Sequence, residues 1–168
     1  MPVTAGVSAE QYLAMSFDGP DREFVHGEIV ERNMGDLDHS TLQIFIGEAL
    51  RRLRQQANWR VQPELRHRIS EGVYRIPDIA VHPATLRDKV PSSPPLIVVE
   101  IVSPDDRYSA LLEKLREYAE WGVKHIWIVD PQLRQCAVYT TSGLTTVDAL
   151  SLEEYGFTLS AAELFAEL

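Results

Sequence analysis

The segment Leu96-Ile97-Val98-Val99-Glu100-Ile101-Val102 constrains this chain more than any other. It is apolar on both faces except for one carboxylate. A run of this kind suits a central strand covered on both sides rather than a surface strand, which would alternate. An ionised carboxylate inside it needs a counter-charge, hydrogen bonds or a metal ion. On periodicity alone, Glu100 is equally well read as a metal ligand or as a carboxylate paired with an arginine at the open end of the strand.

The surrounding pattern gives the strand its neighbours. The next segment carries Leu111, Leu112, Leu115, Tyr118 and Ala119 at helical spacing and stops at Gly122; His125-Ile126-Trp127-Ile128-Val129 is a second buried strand. A strand, helix and strand of these lengths imply a right-handed parallel crossover. Upstream, Ser8 and Gln11 have capping-box spacing, and His26-Gly27 joins two short strands in a tight hairpin. Asp38 is placed to cap a helix whose apolar face is Leu42, Phe45, Ile46, Ala49, Leu50 and Leu53. Val61 to Ile69 alternates, with Pro63 marking a sheet edge; Tyr74 to Val81 reads as the following strand. Gln135 to Thr141 and Leu144 to Val147 form a hairpin, and Ser160 with Glu163 caps a short final helix. No repeat or linker divides the chain, so residues 1–168 read as one mixed α/β domain.

Composition narrows the function. The net charge is -9, which argues against a tight general nucleic-acid binder, since neutralising phosphates supplies most non-specific affinity. Residues 51–75 are the exception, with seven arginines (Arg51, Arg52, Arg54, Arg60, Arg66, Arg68 and Arg75) against Glu64 and Glu71. They form either an anion-facing strip or a solvated helix face and edge strand. The single cysteine, Cys136, rules out an intrachain disulfide framework and a cysteine-based zinc cluster. No apolar run is long enough to span a membrane, and Met1 to Gly6 lack the basic and apolar regions of a signal peptide. A reduced, cytoplasmic protein is expected.

A second isolated acid strengthens the case for a metal. Asp78 sits in Arg75-Ile76-Pro77-Asp78-Ile79-Ala80-Val81, again one carboxylate in an apolar strand. Two neighbouring strands that each bring one acid to the same depth can share a hard divalent cation, and Mg²⁺ needs only one or two protein carboxylates besides water. Lys114, early on the helix after the Glu100 strand, is placed to lean over that strand's end; otherwise it faces solvent. His39 and Glu28 are auxiliary candidates: His39 as ligand, base or helix-end hydrogen bonder, Glu28 as a third carboxylate or an ordinary hairpin residue.

Pro77-Asp78 followed by Glu100 on the next apolar strand resembles the PD-(D/E)XK superfamily of restriction-endonuclease-like proteins. The string Val99-Glu100-Ile101-Val102-Ser103-Pro104, then Lys114, Tyr118, Gly122-Val123 and Trp127-Ile128-Val129-Asp130-Pro131, is more specific. It resembles the bacterial family grouped as putative restriction endonucleases; Glu23, Gly27-Glu28 and His39 also fall where that family has similar residues. The resemblance spans roughly residues 8 to 165. It implies a restriction-endonuclease-like core, a central mixed β-sheet flanked by helices. It also implies hydrolysis of DNA phosphodiester bonds with Mg²⁺ or Mn²⁺, RNA not being excluded as substrate. Asp78, Glu100 and the backbone carbonyl of Ile101 would hold the metal, and Asp78, Glu100 and Lys114 would be the catalytic set. The superfamily's lysine two residues after the acid is Val102 here, and Lys114 takes its place from the next helix. The alternative is a nuclease-fold module that binds protein or nucleic acid without turnover. A homodimer is expected, because Val138, Tyr139, Leu144, Val147, Leu150, Leu152, Tyr155, Phe157, Leu164 and Phe165 exceed what the crossover needs and call for a cover.

Overall fold

The computed structural model describes residues 6–168. Helix α1 (Ala9–Ala14) opens on the expected Ser8–Gln11 capping box. Strands β1 (Glu23–Val25) and β2 (Glu28–Val30) turn at His26-Gly27, both at positive φ (48° and 93°), as a tight right-twisting hairpin requires. Helix α2 (Leu37–Arg52) is capped by Asp36, whose side chain accepts the His39 N–H at 2.9 Å. Asp38 was expected as the cap; it lies in the first turn instead, where its charge favours the positive end of the helix dipole. One further turn, α3 (Arg54–Ala57), ends at Asn58 in the left-handed region.

The next four strands depart from the pattern in the sequence. Val61–Ile69 and Tyr74–Val81 were expected as two unbroken strands. They fold as β3 (Trp59–Pro63), β4 (His67–Ser70), β5 (Val73–Arg75) and β6 (Ile79–Pro83). β3 pairs with β6, while β4 pairs with β5 in a different sheet. A long antiparallel ribbon is therefore bent sharply across both its strands at one level. On one strand the bend falls at Glu64, at φ 48°; on the other it falls at Ile76-Pro77-Asp78, where Pro77 has no N–H to keep a ladder going. The Asp78 carbonyl ties the two sides by accepting the Glu64 N–H at 3.2 Å.

The rest is β7 (Ile97–Ile101), α4 (Tyr108–Trp121), β8 (His125–Asp130), β9 (Gln135–Thr140), β10 (Gly143–Val147), β11 (Ala149–Leu152), β12 (Phe157–Ser160) and α5 (Ala161–Phe165). The main sheet has the order β10-β9-β8-β7-β6-β3, with β3 at one edge as Pro63 suggested. Only β7 and β8 run parallel, joined by α4. The smaller sheet has the order β2-β1-β5-β4. Alternate residues of the central strands serve two cores. Ile97, Val99, Ile101, Trp127 and Val129 pack with Leu42, Ile46 and Leu50 of α2; Val98, Ile126 and Ile128 pack with Leu115 and Tyr118 of α4. The two helices thus cover opposite faces, as the doubly apolar β7 demands.

The β11–β12 hairpin, which the sequence pattern does not show, and the expected final helix α5 with its Ser160–Glu163 capping box change the argument for a dimer. Leu150, Leu152, Leu164 and Phe165 are buried beside α2 and Trp127, with Val138, Val147, Tyr155 and Phe157 against them. With Tyr139 packed in the α4 core, the chain covers the apolar C-terminal segment apart from Leu144, which stays exposed. No helix among the described residues is long and apolar enough to cross a membrane.

Where the two sheets meet, His67 and His82 are fully buried with their Nε2 atoms 2.8 Å apart. Burial favours the neutral form of both rings, so one donates from Nε2 and the other accepts there. Burial lowers both, His67 to about 3, helped by His82, and His82 to about 4. A base whose folded pKa lies below its unfolded value stabilises the fold above the unfolded pKa and loses that contribution as pH falls. Glu100 and His39 shift the other way, so the effect is isolated by difference. His82→Gln keeps a partner for His67. Between pH 6.5 and 4.5 its unfolding free energy should fall less steeply than that of the wild type, by up to about 1.4 kcal/mol per pH unit. Equal slopes in urea unfolding would show that His82 is already protonated in the folded state.

Candidate active site

The bend in the ribbon delivers Asp78 to the position opposite Glu100. β6 and β7 are adjacent and antiparallel, with Ile79 opposite Val99. Asp78, one residue before β6, accepts the Ile101 N–H on Oδ2 at 2.7 Å. Both acids open into one cleft of about 400 Å³. Lys114 lines it too, together with Glu23, Arg32, His39 and Ile101.

Glu100 projects toward α4, where Lys114 and Tyr118 stand one turn apart. The Lys114 ammonium lies 2.9 and 3.0 Å from its two oxygens, and the Tyr118 hydroxyl donates to Oε1 at 2.8 Å. Lys114 is shared: its Nζ is also 2.9 Å from Glu23 Oε1. Glu23 accepts the Ile76 N–H at 2.8 Å and pairs with Arg75 at 3.0 Å. Arg75 in turn grips Glu117 with two bonds of 2.6 and 2.9 Å. On the other side of the cleft, Arg32 Nη2 and His39 Nε2 stand 3.2 and 3.3 Å from Asp78 Oδ1. His39 is held there tightly enough that a Cβ on Gly35 would come within 2.6 Å of its ring.

The electrostatics divide the three buried acids. Burial works against the charge on Asp78, but the His39 hydrogen bond, Lys114 and the Ile101 N–H outweigh it and hold its carboxyl below the usual range. Burial likewise opposes Glu23, and Lys114 and Arg75 bring it below the usual range. Glu100 is left short of positive charge. Burial pushes it up to about 7, with Lys114 opposing and the Asp78 and Glu23 charges adding to the rise. The Lys114 ammonium is desolvated, yet the three acids raise its pKa.

Asp78, Glu100, Lys114 and His39 are therefore brought together as expected from sequence. Glu28 is not. It is exposed on β2 and does not line the cleft; the third carboxylate is Glu23, on the partner strand of the same hairpin. Arg32 and Arg75 were also missed as site residues, since neither lies in a pattern that points at an acid distant in sequence. Tyr118 had a readable signal, standing four residues after Lys114 and hence on the same helix face.

Among the described residues no group of three or more His, Cys, Asp or Glu side chains is placed to hold a metal alone. The donor set does fit a hard divalent cation that keeps much of its water, since two carboxylates in one open cleft suffice. A cation beside Glu100 would also offset the burial and the two neighbouring acids that raise its pKa.

The class this defines is a mixed α/β sheet between two helices, with two acids and a lysine gathered in one cleft. The chain belongs to the family described as Uma2, putative restriction endonuclease, whose model matches residues 9–167. A solved crystal structure of a putative nuclease from Anabaena variabilis is similar over 96% of this chain and 98% of that one, with a TM-score of 0.85 at 20% identity. At that identity the likeness concerns the fold alone. No curated protein matches in sequence.

The ion-pair geometry changes what Lys114→Met should do. Were the lysine on a solvated helix face, the substitution would be silent; its side chain is only 13% exposed and touches two buried acids. Removing it leaves Glu23 with Arg75 but takes from Glu100 its paired cation, and breaking a buried pair costs about 3–5 kcal/mol. Lys114→Met should lower the melting temperature at pH 8, and adding Glu100→Gln should recover part of the loss. A double-mutant cycle without any recovery would show that the two residues are not coupled.

Proposed function

We propose that this protein is a metal-dependent phosphodiesterase acting on DNA. The observation that supports it is the convergence of Asp78 and Glu100 from adjacent strands on one cleft, with the buried Lys114 ammonium beside them. A divalent cation (Mg²⁺ or Mn²⁺) held by the two carboxylates, with the Ile101 carbonyl as a further ligand, supplies Lewis-acid charge for hydrolysis. Asp78 contributes a carboxylate that stays ionised at neutral pH. Lys114, fixed between Glu23 and Glu100, offsets negative charge as water adds to phosphorus and one P–O bond breaks to leave a phosphomonoester and a hydroxyl. Arg32 brings a guanidinium to the same cleft, a geometry suited to paired bonds with phosphate oxygens.

RNA carries the same phosphodiester and is the alternative substrate. The reduced cytoplasm suits the buried free thiol of Cys136. A homodimer would set two clefts on a duplex; its C-terminal apolar residues no longer require it, and light scattering at micromolar concentration decides it.

A binding module without turnover is the second reading. It is favoured by the pairing of the three buried cleft acids, Glu23, Asp78 and Glu100, with cations of the chain itself. Two measurements separate the readings. Millimolar Mg²⁺ or Mn²⁺ should raise the melting temperature of the wild type by binding the folded state, and Asp78→Asn should abolish that rise. With plasmid, oligonucleotide DNA and RNA as substrates, Asp78→Asn and Glu100→Gln should each lower cleavage about 100-fold or more, about 2.7 kcal/mol of transition-state stabilisation. A wild type that cleaves nothing with either metal leaves the binding module as the function.

A further inference from the structure

Helix α2 contains a glycine that the chain's own packing does not require. Gly47 sits mid-helix without a positive φ, and a Cβ built on it meets nothing within 4 Å. Glycine weakens a helix interior relative to alanine, so the missing side chain is unexplained by any neighbour in the fold. What it does is keep a surface groove open. The groove runs between α2 and the edge strand β3 and is lined by Gln43, Ile44, Gly47, Arg51, Val61 and Glu64, among others.

The two ends of this groove differ in character. At one end Gln43 Nε2 and the Glu64 N–H both donate to the Asp78 carbonyl, at 2.9 and 3.2 Å, so the groove ends beside the cleft. At the other end Arg51 is shared with a second hollow, which Arg52 and Arg54 also line. All three arginines are exposed, and among the described residues none lies within ion-pair distance of a carboxylate. Arg32, Arg66 and Arg75, by contrast, are all paired with acids. Glu48 lines both hollows and Glu64 the end beside the cleft, so at the arginine end three positive charges face one carboxylate in a chain whose net charge is -9. Gln43 to Arg51 covers about 12 Å along the helix at about 1.5 Å per residue, the axial length of three to four base-pair steps of about 3.4 Å.

We propose that this groove carries the phosphate backbone of a nucleic-acid strand as it leaves the cleft. Arg51, Arg52 and Arg54 meet its phosphates, and Gly47 allows the sugar-phosphate chain to approach the helix. The inference rests on reading the cleft as a phosphodiester site. A polyanion is the occupant because the far end is basic and unpaired, and a strand is its form because the groove continues from the cleft instead of standing apart.

The test is binding in EDTA, so that turnover plays no part. Anisotropy of a fluorescently labelled DNA duplex, with single-stranded DNA and an RNA duplex as further arms, is titrated against salt. The Arg51→Ala, Arg52→Ala, Arg54→Ala triple variant should bind the duplex more weakly, and its log–log salt slope should be shallower by about 2.7, at about 0.9 per phosphate. Arg116→Ala removes an exposed charge from α4, on the opposite face of the sheet, and should leave affinity nearly unchanged. Gly47→Leu should fill the groove and weaken binding while the melting temperature holds or rises, because leucine favours helix. Equal affinity and slope in the wild type and the triple variant, or no binding by the wild type even at low salt, overturns the groove whatever the protein cleaves. Groove-dependent binding by a wild type that cleaves nothing supports the groove and defeats the hydrolase reading, so the two failures are distinct.

Discussion

The Lys114 ammonium stands between Glu23 and Glu100 at 2.9 Å from each, and much of the architecture follows from keeping it there. A carboxylate in the middle of a doubly covered strand is costly unless its charge is answered. Glu100 therefore needs α4 in one register, with Lys114 and Tyr118 turned toward β7. Glu23 needs the same lysine, so the small sheet must approach α4 from outside the main sheet. Arg75, which ties Glu23 to Glu117 of α4, fixes that approach a second time. One shared cation thus joins the central strand, its crossover helix and the peripheral sheet.

The bent ribbon is the other half of the same arrangement. Had residues 59–83 formed one straight hairpin, β4 and β5 would have extended the main sheet and Glu23 would have had no sheet to sit on. The bend moves β4 and β5 across so that β5 pairs with β1 and leaves Asp78 at the corner, its carbonyl held by Glu64 and Gln43 and its carboxylate by Ile101. The site lies where the two sheets and both helices meet, so each layer contributes a side chain: His39 from α2, Lys114 from α4, Asp78 and Glu100 from the main sheet, Glu23 from the small one.

What the sequence revealed, and what it hid, divides along the range of the interactions. Local signals were readable: the capping boxes at Ser8 and Ser160, the His26-Gly27 turn, the stop at Gly122 and the apolar stripe of α2 each depend on residues a few positions apart. The strand β7 was legible because its composition departs from alternation, and Asp78 and Glu100 because each interrupts an apolar run. The bend was not. On one strand Pro77 hinted at it, but on the other it turns on Glu64 at φ 48°, and a glutamate carries none of the preference for that region that glycine or asparagine would signal. Arg32 and Arg75 were hidden because an arginine among polar neighbours looks like a surface residue until the acid it faces is known. Glu23 matched the resembled family, yet Glu28 on the same hairpin was chosen as the third carboxylate; the choice depends on which strand lies inward, and β1 does so only because β5 pairs with it.

Charge balance explains why such a site can be both stable and unfinished. In the cleft, burial of Asp78 is outweighed by His39, Lys114 and the Ile101 N–H, and burial of Glu23 by Lys114 and Arg75, so their carboxyls stay below the ordinary range. Glu100 draws mainly on a lysine already shared, and burial with two acidic neighbours leaves it near 7. A fold selected for stability alone could resolve this with an apolar residue, since a buried ion pair is often no better than a well-packed hydrophobic one. A buried Glu100 whose paired cation is shared with Glu23 is the point at which added cationic charge from outside the chain lowers the free energy most, and the opening of both Asp78 and Glu100 to the cleft gives such a charge a way in.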